Sequence, residues 1–317
     1  MGIPHSKGKR AITIILPQFL PKQVLDEILE NANPLLEASI TYFERTLFSL
    51  FQFDINSQLP AAAITALAGG LAVNQSGWLR ADPVAIAVGA NNAYLVSTTH
   101  LQITAAEMVT LQALLNNLLL EDGFQLHMIG NHEWCLELPE KPDIITFSPS
   151  QVLGKAIGDY LPHGKGAKKW QTLLTEIQML LHESVVNRKR ATCGQPLINS
   201  LWFWGEGNLP KIKPLPQWQQ IWYSNLLIKG LGMFTNTHLV ELPQHFNQCL
   251  TQMDKSGEYL LDLSGRYISE EVKNQWLNPV LIALRARKLI SINLCLSDGS
   301  LYNVNDRQRR PWWRRFF

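Results

Sequence analysis

His182 to Gly207 reads HESVVNRKRATCGQPLINSLWFWGEG, which places a basic cluster, a turn and a tryptophan-rich apolar run within 26 residues. The run NSLWFW has the period of a strand, with Trp202 and Trp204 on one face and Phe203 on the other. A basic turn ahead of such a strand has two readings. Asn187, Arg188 and Arg190, with Asn199 at the strand entrance, can hold a phosphate or carboxylate, because guanidinium forks match oxyanions and amide donors fix orientation. Alternatively the arginines pair with Glu183 or Glu206, and the aromatics fill a core.

Outward from this stretch, the two ends of the chain carry one kind of pattern and the middle another. Ala11 to Leu16, AITIIL, is a continuous apolar run of the sort a buried parallel strand needs. Helical patterns follow at Lys22–Asn31, Leu35–Leu50 and Leu59–Leu71, the last stopped by Gly69 and Gly70. After Gly207, strand and helix patterns alternate through LLIKGLGMF, THLVELP, a long helix from Ser269 to Arg287, and LISINLCL before the turn Asp298-Gly299. The middle instead shows a hairpin around GANN within Pro83–Ser97 and another within Phe124–Leu138 turning at Gly130 and Asn131. Between them, Thr104 and Glu107 have capping-box spacing ahead of an apolar stripe of Met108, Leu111, Leu114, Leu115 and Leu118. A further amphipathic helix spans Ala167–His182. These patterns predict an α/β fold: a mainly parallel sheet core from residues 1–76 and 208–317, with an inserted α+β domain at 77–207.

The 317 residues are 46% hydrophobic and 17% charged, with a formal net charge of +2, which argues against a nucleic-acid-coating protein. The charge is uneven, because RQRRPWWRRFF at the C-terminus has five arginines and no acid. Arg309, Arg310, Trp312, Trp313, Arg314 and Arg315 can meet an acidic protein partner, or the tryptophans can fold back onto the core. Four single cysteines without CxxC spacing indicate reduced thiols and a cytoplasmic protein. The longest apolar run, Ala61–Val73, is too short to span a bilayer.

The order VNRKRATCGQPLINSLWFWGEG resembles a segment of the archaeal-type cofactor-independent phosphoglycerate mutases, in which an Asn-x-x-Arg turn leads to a hydrophobic strand and Gly-x-Gly. SPSQVLGKAIGDYLP, NHEWCLEL and LLIKGLGMFTNTHLVELP are similar to flanking passages of that family. The resemblance implies an alkaline-phosphatase-like core, in which two divalent metals activate a serine that carries the phosphoryl group. It also implies a carboxylate after the first strand, a Ser-Asp at a helix start, and a late Asp-x-x-x-His. Here Pro17 and Gln18 follow the first strand, Pro60 and Ala61 stand at the Ser-Asp positions, and Tyr259–Trp276 contains no histidine. The chain thus resembles a degenerate relative without the metal centre, similar to the bacterial RpfE-type regulatory proteins.

What this implies is a catalytically inactive, regulatory protein that binds a small phosphorylated or carboxylated metabolite, with no cofactor and no metal. The alternative is a phosphatase or phosphomutase with a rebuilt site. Lys155 and Lys229, in family-like Gly-Lys and Ile-Lys-Gly contexts, and Arg80 of GWLRADP complete the candidate ligand set, although Arg80 can equally form an ion pair with Asp82. HGKGAKKW, His163–Trp170, lacks the Walker spacing and reads as an exposed basic helix start.

Overall fold

The apolar run near the N-terminus is strand β1 (Arg10–Ile15), buried from Ala11 onward as a strand covered on both faces must be. The computed structural model describes residues 10–17, 26, 29, 32–37, 41–73, 76–96, 101–130, 132–266 and 270–305. β1 lies at the middle of a seven-stranded sheet. Its other strands are β2 (Asn33–Leu36), β8 (Gln220–Tyr223), β9 (His238–Glu241), β10 (Gly257–Asp262), β11 (Ser291–Cys295) and β12 (Leu301–Asn305), in the order β2-β12-β11-β1-β10-β8-β9. Only β12 runs against the common direction of the other strands, so the sheet is mainly parallel and the α/β class is as expected.

Ile12, Ile14, Trp222, Tyr259, Leu261 and Ile292 share one core, against which helices α7 (Phe246–Gln252) and α8 (Asn278–Arg285) pack. The helix expected at Ser269–Arg287 is described from Glu270, and it contains a π-turn at Lys273–Leu277 in which Asn278 N–H bonds to Lys273 O. Pro279 accounts for the wider winding, since it has no N–H to give and its ring crowds the preceding turn.

Residues 56–212 form a second compact unit, and residues 1–55 with 213–317 form the first. The second unit is built on an antiparallel sheet of β3 (Gly77–Val88), β4 (Ala93–Val96), β5 (Gln125–Met128) and β6 (Trp134–Leu138), in the order β4-β3-β6-β5, with β7 (Ser200–Trp204) paired to β3. Strand alternation sorts the side chains. Leu79, Ala81, Leu136, Leu201 and Phe203 join a core with helices α3 (Ala105–Leu119) and α4 (Ala167–Glu183), while Trp78 and Cys135 meet helix α2 (Ala61–Ala68). Both hairpins form, the first closed by Gly89 N–H to Asn92 O at 2.7 Å.

Three expectations need correction. The span Leu35–Leu50 is not one helix: β2 takes residues 33–36, and helix α1 (Phe43–Leu50) starts later. Pro34 is tolerated in β2 because that strand is at the sheet edge. The unit boundaries fall at 55/56 and 212/213, outside the expected 76/77 and 207/208, because α2 packs on β3 and β6. Finally, the basic cluster is not a loop. It lies in helix α5 (Val185–Thr192), N-capped by the Ser184 hydroxyl, which accepts from Asn187 N–H. The helix expected at Lys22–Asn31 lies mostly outside the described residues, as does Asn131 of the second hairpin turn.

Candidate functional site

The Asn-Arg-Lys-Arg cluster is held from within. Asn187 is 4% exposed, and its Nδ2 donates to Leu181 O and Ile198 O, both at 2.7 Å, while its Oδ1 accepts from Ile198 N–H at 3.0 Å. Arg190 is fully buried. Its Nε and Nη2 donate to Glu107 at 2.8 and 3.1 Å, Nη1 donates to Leu101 O and Pro196 O, and Nη2 also reaches Gln102 O. The partner is therefore Glu107, neither Glu183 nor Glu206. Burial is the largest single influence on the Glu107 carboxyl and pushes it up, but the hydrogen bonds from Arg190 and the Thr104 cap, with the Arg190 charge, together outweigh it and hold the acid below the usual carboxylate range. Asn199 likewise spends its carboxamide on both backbone groups of Ile86. Asn187 and Arg190 are thus buried and Asn199 half-buried, with their hydrogen-bonding groups taken up inside the protein. Arg188 is exposed, with Nη1 on Glu183 O, and Lys155 is exposed with its ammonium over Tyr160.

Arg80 and Asp82 form a buried ion pair on the α2 side of β3. Asp82 Oδ1 accepts from Arg80 Nε and Nη2 at 2.9 and 2.6 Å, and Oδ2 accepts from Trp204 Nε1 at 2.7 Å. Arg80 Nη1 also donates to Thr65 Oγ1, and its guanidinium lies over the Trp204 ring. Burial raises the Asp82 carboxyl to about 6, with Arg80 and Trp204 pulling downward. The tryptophan strand therefore divides as its period predicts: Phe203 packs against Trp170, and Trp204 joins the ion pair.

Beyond β7, Gly205 and Gly207 adopt φ of 68° and 144°, and the Gly205 carbonyl accepts from Ala62 N–H at the start of α2. A Cβ at Gly205 would lie 2.8 Å from that of Ala61, so only glycine allows the approach. Glu206 between them accepts from Gln58 Nε2, Thr146 N–H and the Thr146 hydroxyl, and burial raises its carboxyl above the usual range.

In open α/β sheets, ligands sit at the carboxyl ends of the parallel strands. In the first unit that end is organised by Asp262, the last residue of β10, which is fully buried. Its Oδ2 accepts from Ser224 N–H, the Ser224 hydroxyl and Asn225 N–H at 2.8–3.0 Å, and its Oδ1 accepts from Ser264 N–H and the Ser264 hydroxyl. Helix α6 (Leu226–Phe234) starts beside it, capped by Asn225. Lys229 on α6 reaches over the Tyr223 ring, and Arg266 donates to Pro243 O. The Tyr223 hydroxyl is raised by partial desolvation and then by Glu241, its register partner on β9.

This grouping of Tyr223, Ser224, Lys229, Asp262 and Arg266 was missed in the sequence except for Lys229. The signal was the short run EYLLDLSG, whose apolar core does not distinguish strand from helix. These residues do not fit a pair of divalent metals. Asp262 is committed to five donors of its own loops, and the buried Pro17 follows β1. Among the described residues, no three His, Cys, Asp or Glu side chains gather as a metal ion would need. Pro60 caps α2 and Ala61 opens it, so that helix start bears no nucleophile. The tail candidates Arg309, Arg310, Trp312, Trp313, Arg314 and Arg315 lie outside the described residues. No helix among the described residues is long and apolar enough to cross a membrane.

No family model matches the chain. A 2,3-bisphosphoglycerate-independent phosphoglycerate mutase of Methanothrix thermoacetophila is 30% identical over 108 residues, which cover 32% of this chain and 27% of that protein. The one from Methanosarcina acetivorans is 31% identical over 99 residues, covering 30% and 25%. The matches thus span about a quarter of the length of these curated relatives. Among solved structures, the PH0037 protein from Pyrococcus horikoshii shares the fold, with a TM-score of 0.51 at 13% sequence identity over 96% of this chain and 89% of that one. About a third of the chain is thus similar in sequence to these 2,3-bisphosphoglycerate-independent phosphoglycerate mutases, and its mainly parallel α/β fold is shared with the PH0037 protein.

Proposed function

We propose that this protein is a non-catalytic, regulatory relative of those mutases that binds a small phosphorylated or carboxylated metabolite at the carboxyl ends of β8, β9 and β10. The observation that carries this reading is Asp262, the acid at the end of β10 next to the middle strand β1, whose two oxygens are taken by five loop donors. Such a carboxylate holds two loops in place and has no lone pair left to gather a metal. Lys229 and Arg266 supply positive charge at the same end for an anionic ligand. The cytoplasm is the compartment this reading assigns, in keeping with four free cysteines. The arginine- and tryptophan-rich tail is the contact it assigns to an acidic protein partner.

Phosphatase and mutase assays with Mn²⁺ or Mg²⁺ test the inactivity, and no turnover is expected. Turnover lost on chelation and regained with metal would overturn it. For binding, 3-phosphoglycerate should raise the melting temperature of the wild type by mass action, and Lys229→Ala should abolish the rise. The alternative of a rebuilt hydrolytic site has one observation in its favour: the exposed Ser224 hydroxyl lies 3.0 Å from Asp262 at a helix start. Phosphatase activity lost in Ser224→Ala would establish that alternative.

A further inference from the structure

Between β7 and β8, residues 208–217 read NLPKIKPLPQ and form neither helix nor strand. The segment is fixed at both ends. Leu209 packs against the α2 cluster of Ala62, Ala66 and Trp78 in the second unit, and Trp218 is buried beside Phe51 in the first. Between these anchors the aliphatic side chains stand in water: Ile212 is 87% exposed and Leu215 78%, and of the other large apolar side chains described only Val88 reaches such values. Lys211 and Lys213 are exposed on either side of Ile212, and no Asp or Glu occurs from Gly207 to Val240. A single exposed aliphatic residue needs no explanation, but two within four residues of an anchored segment, interleaved with lysines, do.

We propose that residues 209–216 are a docking loop for an anionic lipid surface. Ile212 and Leu215 enter the boundary between headgroups and acyl chains, while the lysine stems lie along the apolar layer and keep their ammonium groups at headgroup level. Charge complementarity selects this occupant: the loop carries two lysines and no acid, and each lysine near an anionic surface strengthens binding about fivefold. Pro210, Pro214 and Pro216 suit the role, because they have no N–H to strip of water. The same prolines argue against a protein groove that reads polyproline, since they stand four and two residues apart and lack the P-x-x-P spacing. Two aliphatic anchors and two charges give reversible attachment at the surface.

Cosedimentation of the full chain with lipid vesicles tests this. The wild type should bind vesicles of mixed phosphatidylcholine and phosphatidylglycerol but not phosphatidylcholine alone, and added salt should weaken the binding. Ile212→Ser with Leu215→Ser should lower the partition coefficient at least about tenfold. Lys211→Gln with Lys213→Gln should lower it by about twentyfold. Both double variants should keep the wild-type melting temperature, since all four side chains are exposed. A wild type that ignores anionic vesicles overturns the proposal. Binding that survives either double substitution also overturns it, because the lipid contact then lies elsewhere in the chain, the arginine-rich end included. Double variants that melt several degrees lower would show that the loop is packed against protein, and overturn it as well.

Discussion

Arg190 grips Glu107 at two points, Nε to Oε1 at 2.8 Å and Nη2 to Oε2 at 3.1 Å, and Glu107 in turn closes the capping box of α3 with Thr104. One carboxylate thereby ties the start of α3 to the end of α5. Arg190→Ala should strand this acid and several backbone carbonyls, at a cost of about 3–5 kcal/mol, the usual penalty for breaking a buried pair. Arg188→Ala, two residues away and exposed, should change stability by no more than about 0.5 kcal/mol. Urea denaturation of the two variants measures the difference. Equal, small effects would mean that α5 is not held by this pair.

Asp82 should leave a pH signature. Its carboxyl is raised from 3.8 to about 6 by burial, so the folded state holds the proton more tightly than the unfolded state does. A raised acid favours the fold fully below its unfolded value and loses that contribution as pH rises through the folded one. Relative to Asp82→Asn, the wild type should therefore lose stability between about pH 3.8 and 6 and then level off. Melting temperatures of both proteins across that window decide it. Parallel curves would show that Asp82 does not titrate with the fold.

The two loops beyond β8 and β10 should loosen together when Asp262 is changed. Asp262→Asn replaces an acceptor by an amide donor facing N–H and O–H groups, and unmet donors cost about 1–3 kcal/mol each. Hydrogen exchange should quicken at the amides of Ser224, Asn225 and Ser264 in concert. Exchange that quickens at only one loop would separate them.

The tail has two sequence readings, and deletion of Arg307–Phe317 distinguishes them. Docked tryptophans each contribute roughly 1.5–3 kcal/mol by burial, so the truncated chain would melt several degrees lower. A partner-binding tail would leave the melting temperature unchanged and lose salt-sensitive binding to an acidic protein.

The sequence by itself determined the features whose causes lie within a few residues. Thr104 and Glu107 stand three apart, so the capping box and the start of α3 were legible. The unbroken apolar run of β1 and the period of Ser200–Trp204 likewise predicted a two-sided strand and the split between Phe203 and Trp204. Tertiary structure decided everything that depends on a distant partner. From the sequence Arg190 could hold an anion or pair with Glu183 or Glu206, and only the fold supplied its acid, Glu107, 83 residues earlier in the chain. The run around Asp262 could not reveal the role of that acid, because its donors include Ser224 and Asn225, 38 and 37 residues away. The same holds for α2, which joins residues 56–212 because its alanines fit against Trp78 and Cys135. Helix caps and strand periods are short-range consequences of backbone geometry, whereas the role of a charged side chain is set by which opposite charge the fold brings within hydrogen-bonding distance.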